Sequence, residues 1–473
     1  MSQEVNPFDE LLKMMSERFK GYQDAFTSLL SFSDSATQDG RPAGLPEAMF
    51  ERLRKTDPER LSRMVDSLRR EYLDDFKAMG PDAFHLDVKP LAEAWRKVMA
   101  GEDDEQAAKI LSRFLDAMAV KARLGAEYYA DPEQTPVGQT PRQLVHREGE
   151  IELYRYLPLP DVKPAAAEPV LLVYSLINRS FILDLLPGAS FIEYLLEQGL
   201  DVYLIEWGEC APGDRETTLD SLIEPGISGC VEAICARTAA RQVSLFGHCI
   251  GGDLALMYAA LQPERVARFV ALTTPVTASD GGVVALWTDR DVIPIDEIIE
   301  RHGHMPAKLI RYTFMALKPY YEGLKGKMFF ENLGDDKFME LFYPVDRWAN
   351  ENVDIPGEVF RKFVREVLVD DRFSRGETRI HDRRVDLGKI RCPLFTLAAA
   401  KDWIVRPKSA EILNDLVGSK DKRFELIEDS HVGIMINPTN RKHWDSIAGF
   451  LKGSTEVRRA YCRPGLRSQP VQL

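Results

Sequence analysis

The sequence predicts an α/β fold, a mostly parallel, doubly wound sheet preceded by an all-helical N-terminal segment. Three observations lead there. From residue 170 onward, short apolar runs alternate with stretches of helical spacing: Val170 to Tyr174, Phe191 to Gln198, Val202 to Glu206. A continuous apolar run marks a strand buried on both faces. The stretch Val243-Ser244-Leu245-Phe246-Gly247-His248-Cys249-Ile250-Gly251-Gly252 then joins a strand to the helical run Asp253 to Leu261 through Gly-x-Cys-x-Gly. Before residue 130, apolar residues recur at helical spacing and no strand pattern occurs.

Taken in order, the helical segment begins at Asn6-Pro7, an N-cap with proline at the first helical position. Phe8, Leu12, Met15, Phe19, Tyr22, Phe26 and Leu29 follow at alternating steps of four and three, a heptad seam. Such a stripe packs against its own chain more often than against a partner. Asp57-Pro58 caps a helix carrying Leu61, Met64, Val65, Leu68 and Tyr72, and further helices run near Lys89 to Met99 and Asp104 to Tyr129. His85 stands alone there and reads as structural. Residues 131–142 form a turn-rich, proline-bearing linker, and Leu144 to Tyr156 reads as a hairpin opening the next domain.

That domain is expected over 143–453, with a C-terminal tail at 454–473. Between Pro275 and Asp386 the alternation breaks, and helices such as Ala307 to Leu317 and Pro356 to Val369 are separated by loops. Residues 276–386 therefore read as an insertion above the sheet edge. Strands resume at Leu394 to Ala398 and Phe424 to Ile427. Each is followed by titratable residues, Lys401-Asp402 after the first and Asp429-Ser430-His431 after the second. Strand ends of this kind are where open α/β sheets place their sites.

Composition bounds the function. With 473 residues, 45% of them hydrophobic and 29% charged, the chain has room for two or three domains and a large core. A net charge of −13 argues against nucleic acid as a partner. The six cysteines, at 210, 230, 235, 249, 392 and 462, include no Cys-x-x-Cys pair, so neither a zinc site nor a disulfide framework is expected. No metal or cofactor is implied. An apolar run long enough to span a membrane is lacking, as is the build of a signal peptide after Met1-Ser2-Gln3-Glu4, and the reading is a cytosolic protein.

The chemistry gathers at Cys249. A strand, a sharp turn and a helix fit a nucleophile elbow, in which flanking glycines let two backbones pass closely. A free thiol titrates near ~8.5, and a helix N-terminus with a nearby imidazole pulls it down. The backbone N–H of Ile250 aims at the same spot and supplies half of an oxyanion hole. The alternative is that Cys249 is a small buried filler. Asp402 and His431 read alternatively as a turn carboxylate and a loop histidine. Their order, Cys249, Asp402, His431, is that of an α/β-hydrolase fold, with Asp402 holding the imidazole and His431 taking the thiol proton.

These residues resemble the polyhydroxyalkanoate synthases, which carry cysteine where a lipase carries serine. The resemblance extends through Leu171 to Asp184, with its Asn178-Arg179 pair, and through Gly199 to Gly208, with its Trp207-Gly208 turn. Thr273-Thr274-Pro275-Val276, Cys392-Pro393 and His431-Val432-Gly433-Ile434 extend it further, over about residues 135–453. The layout is similar to the short catalytic subunits of the two-subunit, class III enzymes. Ser430 stands where that family usually has glycine, and His248 where a tyrosine or aliphatic residue is more usual.

The resemblance implies polymerisation of (R)-3-hydroxyacyl-coenzyme A into polyester, with coenzyme A released through a cysteine thioester. It also implies the Leu176 N–H as the second oxyanion donor, His248 and Asn178 as substrate contacts, and a helical lid over 276–386. A homodimer at the polyester granule surface, with a possible helper subunit, completes the expectation. Residues 1–130 are unlike a short catalytic subunit and are expected to supply that helical support in one chain. Two rivals stand beside this reading: a thiol hydrolase or depolymerase on the same fold, and a granule-associated protein without catalysis.

Overall fold

The computed structural model describes residues 137–210, 214–278, 295–318, 320–332 and 335–453, with short stretches between 93 and 112. The heptad seam from Phe8 to Leu29, His85, Cys462 and the tail at 454–473 lie outside the described residues. Within the segment expected to be helical, residues 93–94, 96–98 and 105–109 are helical. Asp104 accepts the N–H groups of Gln106 and Ala107, each at 3.0 Å, as an N-cap does.

Eight strands form the main sheet: β1 (Arg142–Glu148), β2 (Ile151–Tyr156), β3 (Val170–Val173), β4 (Val202–Glu206), β5 (Val243–His248), β6 (Val266–Leu272), β7 (Leu394–Ala399) and β8 (Lys422–Ile427). Their spatial order is β1-β2-β4-β3-β5-β6-β7-β8. The hairpin β1–β2 is antiparallel, as is the β2–β4 pair, and every pairing from β4 to β8 is parallel. The chain reverses its direction of travel across the sheet at β3, which lies between β4 and β5. The C-terminal ends of β3 and β5 therefore flank a crevice, the position at which a doubly wound sheet presents its site.

Period-two side-chain alternation divides the core between the two faces. Leu171, Val173, Val243, Leu245, Phe269 and Ala271 point to one face, which is covered by α2 (Ser228–Thr238) and α3 (Ile250–Leu261). Val170, Leu172, Phe246, Val270 and Leu272 point to the other, covered by α1 (Phe191–Glu197) and α9 (Arg441–Leu451). Ser190 caps α1 by accepting the Glu193 N–H at 2.9 Å. Every residue of α3 is buried, which explains a helix without a polar face. By contrast β8 is an edge strand: it begins at Lys422, two residues before its apolar run, and leaves Phe424 and Leu426 exposed.

Strands β6 and β7 are neighbours in the sheet, yet residues 273–393 run between them in sequence. Among the described residues this stretch adds no strand to the main sheet. It carries α4 (Ile295–His302), α5 (Ala307–Leu317), α6 (Tyr320–Glu331), α7 (Asp336–Asn350) and α8 (Gly357–Phe363). Two-residue strand pairs at 304–305 with 355–356, and 379–380 with 383–384, pin it together. The insertion is tied to the sheet domain by Lys362, whose Nζ donates to Asp220 at 2.6 Å, and by the antiparallel bridge between Asn178 and Asn352.

Helix α3 begins directly at Ile250, not at Asp253, so Gly251 and Gly252 sit inside its first turn. Their smallness is a packing requirement. A Cβ on Gly251 would run into the carbonyl oxygens of Val173 and Tyr174, which are backbone atoms with nowhere to move. Gly251→Ala is accordingly expected to lower stability by about 1–3 kcal/mol. Gly326→Ala on α6, where a methyl meets open space, should change it by less than about 1 kcal/mol in either direction. Urea unfolding of the two variants checks this, and equal effects would contradict the close approach of α3 to β3.

Candidate active site

Cys249 sits between β5 and α3 with φ 52° and ψ −134°. A non-glycine residue held there stores strain of order 1–3 kcal/mol, which persists only where the surroundings dictate it. Here the Cys249 N–H donates to the Leu272 carbonyl at 3.0 Å, and its own carbonyl accepts the Gly252 N–H at 2.8 Å. A Cβ on Gly247 would collide with the backbone of Gly252, so the strand and helix cross as closely as two chains can. The turn leaves Cys249 buried, 6% exposed, at the ends of β3 and β5.

Asp402 follows β7 and is fixed by main chain: its Oδ1 accepts the N–H groups of Ile404 and Val405, each at 2.9 Å. Its Oδ2 lies 2.6 Å from Nδ1 of His431, on the loop after β8. That contact sets the tautomer, because the nitrogen facing a carboxylate carries the proton. The opposite nitrogen, Nε2, is left for Cys249, which acts electrostatically on the His431 ring. Burial pushes the His431 imidazole down, but Asp402 and then Cys249 outweigh it and hold the ring well above its usual range. Asp429 braces the loop: it accepts the Ser430 N–H at 2.7 Å and the side-chain amides of Asn437 at 3.2 Å and Asn440 at 2.6 Å.

The structure thus brings together the three residues that the sequence singled out from positions far apart. Ile250 is the first residue of α3, and Leu176 lies just beyond β3. Among the described residues the main-chain N–H of neither is taken up by a hydrogen bond, as an oxyanion hole requires. His248 is almost wholly buried, stacked on Tyr174 at 5.2 Å with the rings 1° from parallel, and 5.2 Å from the His431 ring. Burial, and then His431, keep it well below the usual imidazole range, so it is neutral. Asn178 uses its amide on the insertion, donating to the Trp348 carbonyl at 3.1 Å.

Sequence reasoning missed the aromatic frame around this crevice. The Trp207 indole donates to the Tyr174 carbonyl at 2.9 Å, and the Trp348 indole, on α7, reaches the Tyr174 hydroxyl at 3.2 Å and the Arg179 carbonyl at 3.0 Å. Phe314 and Tyr321, from the insertion, place their rings 6.1 and 6.0 Å from that of Trp403, the residue after Asp402. Also missed was Asp253, on the first turn of α3. It is fully buried and neither carboxyl oxygen has a partner.

The other described cysteines are ill suited to reaction. Burial pushes the thiols of Cys230 and Cys392 up to about 12, and burial with Asp214 pushes Cys210 up to about 11. Among the described residues no cluster of His, Cys, Asp and Glu could hold a metal ion, and no helix is long and apolar enough to cross a membrane.

A cysteine at a strand–turn–helix junction, with a paired histidine and carboxylate at the ends of parallel strands, defines the α/β-hydrolase class. Residues 168–438 match the alpha/beta hydrolase fold family. The chain is 31% identical over 360 residues to the poly(3-hydroxyalkanoate) polymerase subunit PhaC of Haloferax mediterranei, covering 75% of this chain and 70% of that protein. It is 32% identical over 336 residues to the subunit of the same name from Allochromatium vinosum, covering 71% and 94%. The Synechocystis sp. protein of that name is 31% identical over 322 residues, covering 65% and 85%. The chain belongs to this PhaC polymerase family.

The His431–Asp402 pair has a signature in stability. A base whose proton affinity is raised on folding contributes stability that is complete below its unfolded value, ~6.5, and is lost as the pH rises through the folded value. The natural chain's advantage over His431→Gln should therefore be largest below about pH 6.5 and shrink at higher pH. Denaturant unfolding at stepped pH measures it; an advantage that grows with pH would contradict the pairing.

Proposed function

We propose that this chain is a poly(3-hydroxyalkanoate) polymerase that joins (R)-3-hydroxyacyl units from coenzyme A thioesters into polyester, holding the growing chain on Cys249. The observation that carries the reading is a thiol, not a hydroxyl, at the elbow of a chain whose relatives bear that polymerase's name. A thiol attacking a thioester exchanges one thioester for another, so the acyl group stays activated. Serine would trap it as an oxygen ester, already as low in energy as the polymer link.

The arrangement of Cys249, His431 and Asp402 supports the following steps. His431 takes the Cys249 proton on Nε2, while Asp402, anchored by two N–H groups, steadies the imidazolium that forms. The thiolate adds to the substrate carbonyl, whose oxygen gathers charge between the N–H groups of Ile250 and Leu176. The carbon–sulfur bond to coenzyme A breaks, and the departing thiolate takes the proton back from His431. In elongation, the hydroxyl of the next monomer, deprotonated with help from His431 or Asp402, attacks the carbonyl held on Cys249. An ester carbon–oxygen bond forms as the bond to Cys249 breaks, which leaves the lengthened chain as a coenzyme A thioester; the freed Cys249 thiolate then attacks that thioester, taking the chain back as the carbon–sulfur bond to coenzyme A breaks.

The insertion at 276–386 acts as a lid that excludes water, which would otherwise hydrolyse the held acyl group. Asn178 and Trp348 join this lid to the crevice edge next to Leu176. Class III-like organisation, a dimer, granule association and support from residues 1–130 or a helper subunit belong to the same proposal.

Purified protein given 3-hydroxybutyryl-coenzyme A should release coenzyme A and accumulate insoluble polymer. Soluble hydroxy acid as the sole product would overturn the reading in favour of a thiol hydrolase. His431→Gln should block the first acyl transfer by at least ~100-fold. Asp402→Asn should retain part of it while slowing elongation, and equal loss of both steps in both variants would refute that division of roles.

A further inference from the structure

Asp253 is a carboxyl that the mechanism above does not use, placed where a charge would matter most. It stands four residues after Cys249, on the first turn of the helix that Cys249 precedes, and near enough for Cys249 to act on it electrostatically. Its exposure is 0%, and both oxygens lack a hydrogen-bond partner. An ionised carboxylate in that setting would have neither water nor a donor to replace water. An uncharged carboxylic acid tolerates the site far better.

Among the described residues the surroundings supply no compensating cation. The elements packed against α3 bring His248 on β5, Tyr174 at the end of β3, Arg268 on β6, Glu224 on the 222–227 turn, Glu264 and Arg265 on the 263–265 turn, and Lys389 on the 387–389 turn. None of these acts on Asp253. Burial, and then Cys249, hold its carboxyl well above the usual carboxylate range.

We infer that Asp253 is held as the uncharged acid and is a positioning residue for Cys249, its proton keeping a second negative charge away from the thiolate at the start of α3. The inference rests on the reading of Cys249 as nucleophile and deepens it. Coupling of this kind is reciprocal: a thiolate that tightens the hold on Asp253's proton is itself favoured while that proton stays. The hold is strongest when Cys249 is a thiolate and relaxes when an acyl group converts it to a neutral thioester. The proton on Asp253 therefore reports whether Cys249 is free or loaded.

Infrared difference spectroscopy on the full chain tests this without turnover. The natural protein minus Asp253→Asn, at neutral pH, should show the C=O stretch of a protonated carboxyl. Its titration midpoint should fall by on the order of one pH unit once Cys249 is capped with iodoacetamide, because a nearby like charge has been removed. Should the variant not fold, the capped-minus-free spectrum of the natural chain carries the same test, since the band belongs to an acid that senses Cys249. Absence of the band at neutral pH, or a midpoint indifferent to capping, would overturn the inference. Neither result depends on polymer formation, so failure here is distinguishable from failure of the polymerase reading.

Discussion

The structure depends on the crossing of α3 over the ends of β3 and β5. That crossing is set by a steric constraint: Gly247 and Gly251 bring strand and helix backbones to a distance that no side chain at either position permits. Cys249 has to turn through a left-handed conformation to make the connection. The strain is small against the burial around it, since every residue of α3 is packed into the core. In return the thiol is lifted to the sheet edge with the Ile250 N–H beside it, and β6 holds the turn through Leu272. A looser junction would leave the thiol in the core as an apolar filler.

Around that fixed point the other groups are held by backbone or by one another. Asp402 is anchored to main chain, His431 to Asp402, and the His431 loop to Asp429, so the imidazole has little freedom to drift from the thiol. The insertion closes on the same point from above. Trp348 reaches both Tyr174 and Arg179, and Asn178 reaches back to Trp348. The loop that carries Leu176 and the helix that carries Trp348 are thus joined by reciprocal hydrogen bonds.

Much of this was legible in the sequence because it is local. The strands β3, β4 and β5 announce themselves by unbroken apolar runs, and the elbow by glycines at fixed offsets from one cysteine. Asp402 and His431 were found because each follows a strand, and strand ends are where an α/β sheet gathers its chemistry. What stayed hidden is what depends on partners far off in sequence. The contact of Asn178 with Trp348 spans 170 residues, so the sequence offered Asn178 only as a substrate contact. Asp253 entered the sequence reading only as the first residue of a helical run. Its burial comes from strands and turns on several sides of α3. The start of α3 was misjudged for a related reason: paired glycines read as a turn, whereas close packing draws them into the helix. The register of β8 departed from its apolar core because an edge strand needs burial on one side only.

In this mechanism the acyl chain is carried on the sulfur of Cys249. The most direct measurement is to quench the enzyme during turnover with 3-hydroxybutyryl-coenzyme A, digest it under conditions that preserve thioesters, and map the acylated peptide by mass spectrometry. Hydroxybutyryl units, singly and as short oligomers, are expected on the peptide containing Cys249, released by hydroxylamine. Acyl groups on another residue while Cys249 stays free, or turnover with no acylated peptide at all, would contradict it.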